Sequence, residues 1–567
     1  MTADAEGDAA VRPVGASGDP AVSHDRRALS RVVFASSAGT IFEAYDFILF
    51  GSLAPLISRH FFAGVTPTAG FIFTLLTFAA GFVVRPFGAL LFGRMGDTGG
   101  RKKTFLITIS LMGGATFAIG LLPGYATVGL WAPILLIAVR LVQGLAYGGE
   151  YGGAVIYTAE HAPPGRRGLY IGWIQTAAGF ALFLSFFVIY VTRTALGEES
   201  FSAWGWRIPF LISVFLLAIS IWIRVSLEES PAFRRMIEEG RTSKRPLSEA
   251  FLEWRNLKYV LIVLFGMMSV QGVLWYTAHF YTQFFLSEVL HLPGAAVTWV
   301  MMLVTITSVF LYVLFSWLSD KIGRKPIMLT GMVLSIATLF PAFHLLTAAV
   351  SPALAQAQSV APVTVRADGT TCALQFDPVG SARFTSSCDI ARATLARMGV
   401  NYGNVDAGAG APAQVWIGTT RLAVPAGRGL DAAGLAAVRK NFAASLKGAL
   451  SAAGYPDHID TAKVNFPLVY LVMMALVTFS VMVYAPIPAM VVEVFPTRIR
   501  YSALSLPYHI GSGWFGGFLP AIAFTITAAT GNIYANLWYP LIVTAVGVMV
   551  LAFLLPESRG QDLSEEH

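Results

Sequence analysis

Cysteine is almost absent, with two residues in a chain of 567. That excludes a disulfide-built scaffold and any cysteine-rich metal site. Charge is scarce as well: Asp, Glu, Lys and Arg make up 13% of the chain, against about 25% in soluble domains. There is no Gly-x4-Gly-Lys-Ser/Thr phosphate loop. No nucleophile–base pair or metal-ligand spacing stands out, so an enzyme is the least supported class and no cofactor or metal is called for. What fills the space instead is apolar: 55% hydrophobic residues, 13% aromatic, mean hydropathy +0.64. A single soluble core stops growing at about 250–300 residues. The chain therefore reads as an all-α polytopic membrane protein.

A bilayer core about 30 Å thick takes about 20 apolar residues as helix. Twelve segments qualify: 31–57, 70–93, 104–122, 131–158, 168–194, 207–226, 258–287, 296–318, 327–349, 466–492, 502–528 and 536–556, called spans 1 to 12 below. Residues 1–30 read as a polar cytoplasmic tail rather than a signal peptide, 227–257 as a cytoplasmic linker, and 557–567 as a second tail. The net charge of +7 sits in short loops. Arg94, Arg101, Lys102 and Lys103 follow span 2, Arg166 and Arg167 follow span 4, Arg234 to Lys258 follow span 6, Lys321, Arg324 and Lys325 follow span 8, and Arg498 and Arg500 follow span 10. The alternate loops 123–130 and 529–535 carry no Lys or Arg. This asymmetry orients even-numbered connections and both termini toward the cytoplasm of a cell inner membrane. It explains the basic chain through the lipid bilayer, with no nucleic-acid partner.

Two loops echo each other. Asp97 and Asp320 lie 223 residues apart, as do Arg101 and Arg324. Glu160 and Glu493, two helices later, lie 333 apart. The excess of 110 residues must sit between spans 8 and 10, where 351–465 is the one long non-apolar stretch. The chain thus divides into an N-terminal six-helix bundle (31–226), a C-terminal bundle (258–350 and 466–556) and an insertion between spans 9 and 10. Two parallel halves of this kind are a transporter architecture. Strand-like runs at 363–367, 371–376 and 413–424 alternate with helix-like runs at 389–398 and 431–450, which predicts a small α/β periplasmic domain. Cys372 and Cys388 both fall inside it. An oxidising compartment permits a disulfide, with two thiols as the alternative; closing this loop stabilises by about 3 kcal/mol on the loop-entropy model.

The stretches EAYDF (43–47), RPFGALLFGRMGDTGGRKK (85–103), RLVQG (140–144), GGEYGGA (148–154), WGWRIPF (204–210), LEESPAF (227–233), LSDKIGRKP (318–326) and EVFPTRIRYSAL (493–504) resemble the major facilitator superfamily. Within it they resemble the metabolite:proton symporters, which include proline/betaine, α-ketoglutarate, citrate and shikimate permeases. The resemblance covers roughly 30–350 and 465–556 and leaves the insertion outside. It implies twelve helices in two halves, assigns Arg140 to proton coupling, and makes the Asp97 motif a cytoplasmic latch.

Charge inside a bilayer costs about 2.5–3.5 kcal/mol by insertion scales, so each retained group is paired, solvated or functional. Glu43 and Asp46 share a face of span 1, and two close carboxylates make a protonatable site; a cap or a structural pair with arginine is the alternative. Arg140 either holds an anionic substrate, tunes a carboxylate or pairs structurally. Glu150 is a second protonation candidate or half of an interhelix pair. Arg85 and Tyr151 are candidate substrate contacts. So are Gln271, Trp275 and Tyr276, on one face of span 7, with His279 there and Tyr508 and His509 in span 11; belt or packing roles are the alternative. Asp97, Arg101, Lys102 and Glu160 form a latch candidate whose pairs break when the halves rock apart, with a topology signal alone as the alternative. Asp320, Arg324, Glu493 and Arg498 form the second. The glycines at 148, 149, 152 and 153 let helices approach closely.

The expected function is proton-coupled uptake of a small organic solute, a carboxylate or zwitterionic osmolyte, by alternating access. A proton-driven exporter on the same fold, or a sensor using the insertion, are the alternatives. The partners are the solute, protons and lipid; no protein partner of the insertion is indicated.

Overall fold

A computed structural model describes residues 41, 44–46, 48–99, 101–148, 158, 162–163, 165–225, 251–372, 385–495 and 500–560. Nine helices among them are long and apolar enough to cross a membrane: Ala69–Phe92, Arg167–Leu196, Gly205–Trp222, Trp254–Val289, Gly294–Ile322, Arg324–Val350, Phe466–Val494, Ala503–Thr530 and Ala535–Leu554. The shorter apolar helices Leu106–Leu121 and Trp131–Tyr147 supply spans 3 and 4. The helical turns described within 41–61 supply span 1, which completes the twelve.

Local chemistry sets the ends and breaks of these helices. Thr66 caps span 2, accepting from the Ala69 amide at 3.4 Å, with Pro67 in the first turn. Pro86 lacks an N–H, and span 2 accordingly breaks into Pro67–Val83 and Arg85–Gly99. Span 7 is interrupted by three π segments, Leu264–Met268, Thr277–Tyr281 and Phe285–Val289. Span 11 carries another, His509–Gly516, just after Pro507. Such insertions widen a helix locally and concentrate where helices work.

Small residues bring helices into backbone contact. A side chain at Gly144 would strike the Gly81 carbonyl, and one at Gly148 the Arg85 carbonyl. Between the halves, Gly168, Gly172 and Gly179 of span 5 lie on Ser316, Val313 and Val309 of span 8, and Gly513 and Gly517 of span 11 lie on Phe82 of span 2.

The insertion folds as its own layer. It holds helix α1 (Pro352–Val360), strand β1 (Val363–Ala367), helix α2 (Ser387–Arg397), strands β2 (Tyr402–Asp406), β3 (Gln414–Ile417) and β4 (Thr420–Ala423), and helix α3 (Ala432–Ala452). The sheet order is β2-β1-β3-β4. β1 runs parallel to β2, across the α2 crossover, and antiparallel to β3. Val363, Val365, Ile390, Leu395, Val415, Phe442 and Leu446 form a core separate from that of the membrane bundle. Cys372 and Cys388 are joined by a disulfide, with Cα atoms 5.3 Å apart. Replacing Cys388 by Ser is expected to lower the stability of this domain by about 3 kcal/mol, read as an earlier unfolding transition by tryptophan fluorescence or limited proteolysis within 351–465.

One expectation needs correction here, and one strand was not expected. The strand expected from 371 does not start there: Gly369–Thr371 is a 3-10 turn held by Asp368, which accepts from the Thr370 amide at 2.9 Å, and 373–376 lie outside the described residues. Conversely, β2 carries Gly403, Asn404 and Asp406, weak strand formers, and is set by pairing Val363–Ala367 against Tyr402–Asp406. Burial pushes the Tyr402 phenol up to about 12, so this ring stays neutral.

Candidate functional site

The halves meet over a buried polar centre. Arg140 is fully buried. It donates to the side-chain carbonyl of Gln143 and, at 3.2 Å, to the Phe78 backbone carbonyl, and its guanidinium lies 4.4 Å from the centre of the Phe50 ring. Hydrogen bonds involving a charged group contribute about 1.5–3 kcal/mol each, enough to offset the roughly 2.5–3.5 kcal/mol insertion cost of the cation. Gln143 in turn donates to the Asp46 backbone carbonyl (2.8 Å) and to Thr116 (2.7 Å). One glutamine thus ties span 4 to spans 1 and 3. Asp46 is buried beside this junction. Arg85, at the break in span 2, is sandwiched between the rings of Phe82 (4.1 Å) and Tyr147 (4.0 Å).

The second half supplies aromatic walls. The Tyr276 ring lies 5.6 Å from that of Phe82 and 6.2 Å from that of Phe78, and it packs on Gly516. Trp275 donates to the Tyr312 hydroxyl at 3.0 Å. Gln271 is buried on the same helix, its carbonyl oxygen without a hydrogen-bond partner among the described residues. Each histidine spends one nitrogen on a backbone carbonyl, which fixes that nitrogen as the N–H: His279 Nδ1 on Trp275 at 2.9 Å, His509 Nε2 on Gly148 at 3.2 Å. The His279 contact is within its own helix; the His509 contact crosses from span 11 to span 4. Tyr508 is buried, its ring 5.4 Å from that of His509.

Among the described residues, contacts bridge the halves on both sides of this centre. On the face that carries the insertion, Gln283 donates to the Ser52 carbonyl at 2.9 Å, Arg193 to Thr298 at 3.2 Å, and the Phe71 ring packs edge-on against Phe284 and Phe524. On the opposite face Arg324 holds Asp320 (2.6 Å) and grips both Glu493 oxygens (3.1 and 3.4 Å). All three belong to the second half. What crosses to the first half is the Asp320 carboxylate, which accepts from the amides of Gly168 (2.9 Å) and Leu169 (2.8 Å) at the N-terminus of span 5. Those amides have no partner within their helix, and the helix dipole favours an anion there. Arg167 adds an ion pair with Glu493 at 3.8 Å. Two contacts therefore cross between the halves here: the Asp320 carboxylate on the helix end and the Arg167–Glu493 ion pair.

Glu43, Glu150, Tyr151, Glu160 and Arg498 lie outside the described residues. Of the first-half motif, the backbone is described: Asp97 lies in the helix Arg85–Gly99, and Arg101 and Lys102 open the helix Arg101–Leu121. Sequence reasoning missed Gln143, although it stands one turn from Arg140 in the same motif. It also missed Tyr312, Thr116 and Thr298, which no pattern singles out.

A family model described as Major Facilitator Superfamily matches residues 37–375, and one described as Sugar (and other) transporter matches 449–567. A proline/betaine transporter of Salmonella typhimurium is 36% identical over 341 residues, covering 58% of this chain and 67% of the relative. A shikimate transporter of Escherichia coli is 35% identical over 323 residues, covering 56% and 73%. The crystal structure of a D-xylose-proton symporter aligns over 94% of this chain and 99% of its own, with a TM-score of 0.59 at 15% identity, a likeness of fold.

Proposed function

The chain belongs to the major facilitator superfamily, a multi-pass membrane secondary transporter and not an enzyme, and from that premise we propose that it imports a small carboxylate-bearing solute together with protons. The cargo is an organic anion or a zwitterionic osmolyte. The observation that carries this reading is Arg140, buried between both closures with Arg85 and Asp46 beside it. A fixed guanidinium recognises a carboxylate, and a nearby buried aspartate supplies a protonatable group. Similarity to transporters of proline/betaine and of shikimate supports both solute classes. The buried charges argue against export of hydrophobic compounds. Lys and Arg of the even-numbered loops support a reading with the Asp320 face in the cytoplasm and the insertion outside.

Proteoliposomes loaded at higher pH than the medium test the reading. Radiolabelled proline, glycine betaine and shikimate are offered in turn. Accumulation of one of them above its outside concentration, abolished by a protonophore, is the expected result. Uptake that only equilibrates, with or without the pH gradient, would overturn the coupling.

A further inference from the structure

Helix α2 of the inserted domain runs into a turn, 398–402, that sits directly on the membrane bundle. Asn401 accepts from the Ile533 amide at 3.1 Å, the Tyr402 amide donates to the Gly531 carbonyl at 3.1 Å, and Asn404 donates to the Thr530 carbonyl at 2.6 Å. The Tyr402 ring packs on Gly531, whose φ of +75° ends the last helix of span 11. The same turn reaches a second loop. Gly399, with φ +65°, leaves no room for a side chain: a Cβ there would meet His291 Nε2 at 2.7 Å and the Val289 carbonyl at 3.4 Å. His291 has φ +54°, the one non-glycine in left-handed conformation among the described residues. Such strain persists only where surroundings impose it.

Both contacts lead to span 7. His291 follows its last π segment, Phe285–Val289. Beneath the 531–534 loop, Asn536 donates to the Tyr281 hydroxyl at 2.6 Å and to the Ile533 carbonyl at 3.0 Å. The inserted domain therefore touches this helix directly at its outer end, Val289 and His291, and reaches Tyr281 ten residues before His291 through the 531–536 loop. Between them lie Gln283 and Phe284, which close the insertion face against Ser52 and Phe71 of the first half. The tethers themselves end on the second half.

We propose that the inserted domain is a brace for the outer gate: turn 398–402 fixes the outer end of the π-segmented span 7, and His291, Asn401 and Tyr402 are positioning residues for its closure against the first half. Span 7 departs from regular α-helical hydrogen bonding at three places along its length. Holding its end from above keeps Gln283 and Phe284 presented to their partners. Loosening the brace lets that end swing and opens the outer face more often.

The inference rests on the two halves rocking, not on the solute or the proton. Its test therefore needs neither. Ser52→Cys places a thiol in the closed seam, and the native cysteines, being paired, give no background. Labelling by a membrane-impermeant maleimide from the insertion face is followed in the full-length protein in proteoliposomes. Tyr402→Ala is expected to speed labelling at least about fivefold, the lower end of conformational couplings. Asn401→Ala, which removes only the bond to the loop, is expected to act in the same direction. Tyr402→Phe keeps the ring on Gly531 and deletes a buried hydroxyl that has no hydrogen-bond partner among the described residues, so it is expected to label like the parent. Equal rates in the parent, Asn401→Ala and Tyr402→Ala would overturn the proposal. If Tyr402→Ala makes residues 351–465 sensitive to limited proteolysis, its domain has unfolded, and Asn401→Ala decides alone. A shift in Tyr402→Phe equal to that in Tyr402→Ala would likewise overturn the assignment to ring packing.

Discussion

Arg140→Gln is expected to reduce gradient-driven accumulation at least about tenfold, a barrier change of about 1.4 kcal/mol or more. The change removes a fully buried cation and leaves the Phe78 carbonyl and the Gln143 side chain without their charged donor. An unsatisfied buried acceptor costs about 1–3 kcal/mol by itself. Two further substitutions separate charge from packing. Arg140→Lys keeps the charge but not the two-pronged geometry, and is expected to retain part of the activity. Asp46→Asn keeps the shape and removes the protonatable group. It is expected to lose accumulation while keeping solute exchange between equal concentrations, because exchange needs binding but no net proton movement. The measurement is paired uptake and counterflow in the same vesicles. Full accumulation by Arg140→Gln would show that the buried cation is a structural pin.

The second large effect belongs to Asp320. Its two oxygens take the first two amides of span 5, and its neighbour Arg324 cannot replace that bond. Asp320→Ala leaves the helix end without its anion and Arg324 with Glu493 as its remaining carboxylate. Couplings of about 1–3 kcal/mol correspond to shifts of 5–150-fold in a two-state equilibrium. The face bearing Asp320 is expected to open within that range. Ser316→Cys, placed where span 8 touches Gly168 and Gly172, reports the opening by maleimide labelling from that face. Gly168→Ala should act in the same direction, since its Cβ would collide with the Ser316 carbonyl and the Arg324 guanidinium. Unchanged labelling in both variants would reduce these residues to topology signals.

What the sequence made legible was periodic or repeated. The spacing of Asp97 from Asp320 and of Glu160 from Glu493 pointed to two halves and the size of the insertion, because charged loop residues stand out between apolar runs. Arg140, Arg85 and Asp46 stood out because charge in an apolar run has a known cost. What stayed hidden depended on partners without a sequence signature. The acceptors of the Gly168 and Leu169 amides, the Arg193–Thr298 bond and the docking of Tyr402 on Gly531 all involve backbone groups or distant side chains. β2 was hidden because pairing, not propensity, makes it a strand. The histidines 279 and 509 looked like substrate groups, and the fold gives each a backbone carbonyl first.

The central claim is that solute and proton cross together through the buried Arg140 centre, and one recording tests it most directly. Vesicles with a pH-sensitive dye inside receive a pulse of the transported solute, with no pH gradient imposed. Acidification of the lumen in step with solute entry, absent in Asp46→Asn, is the expected trace. Solute entering with the dye signal flat would contradict the account.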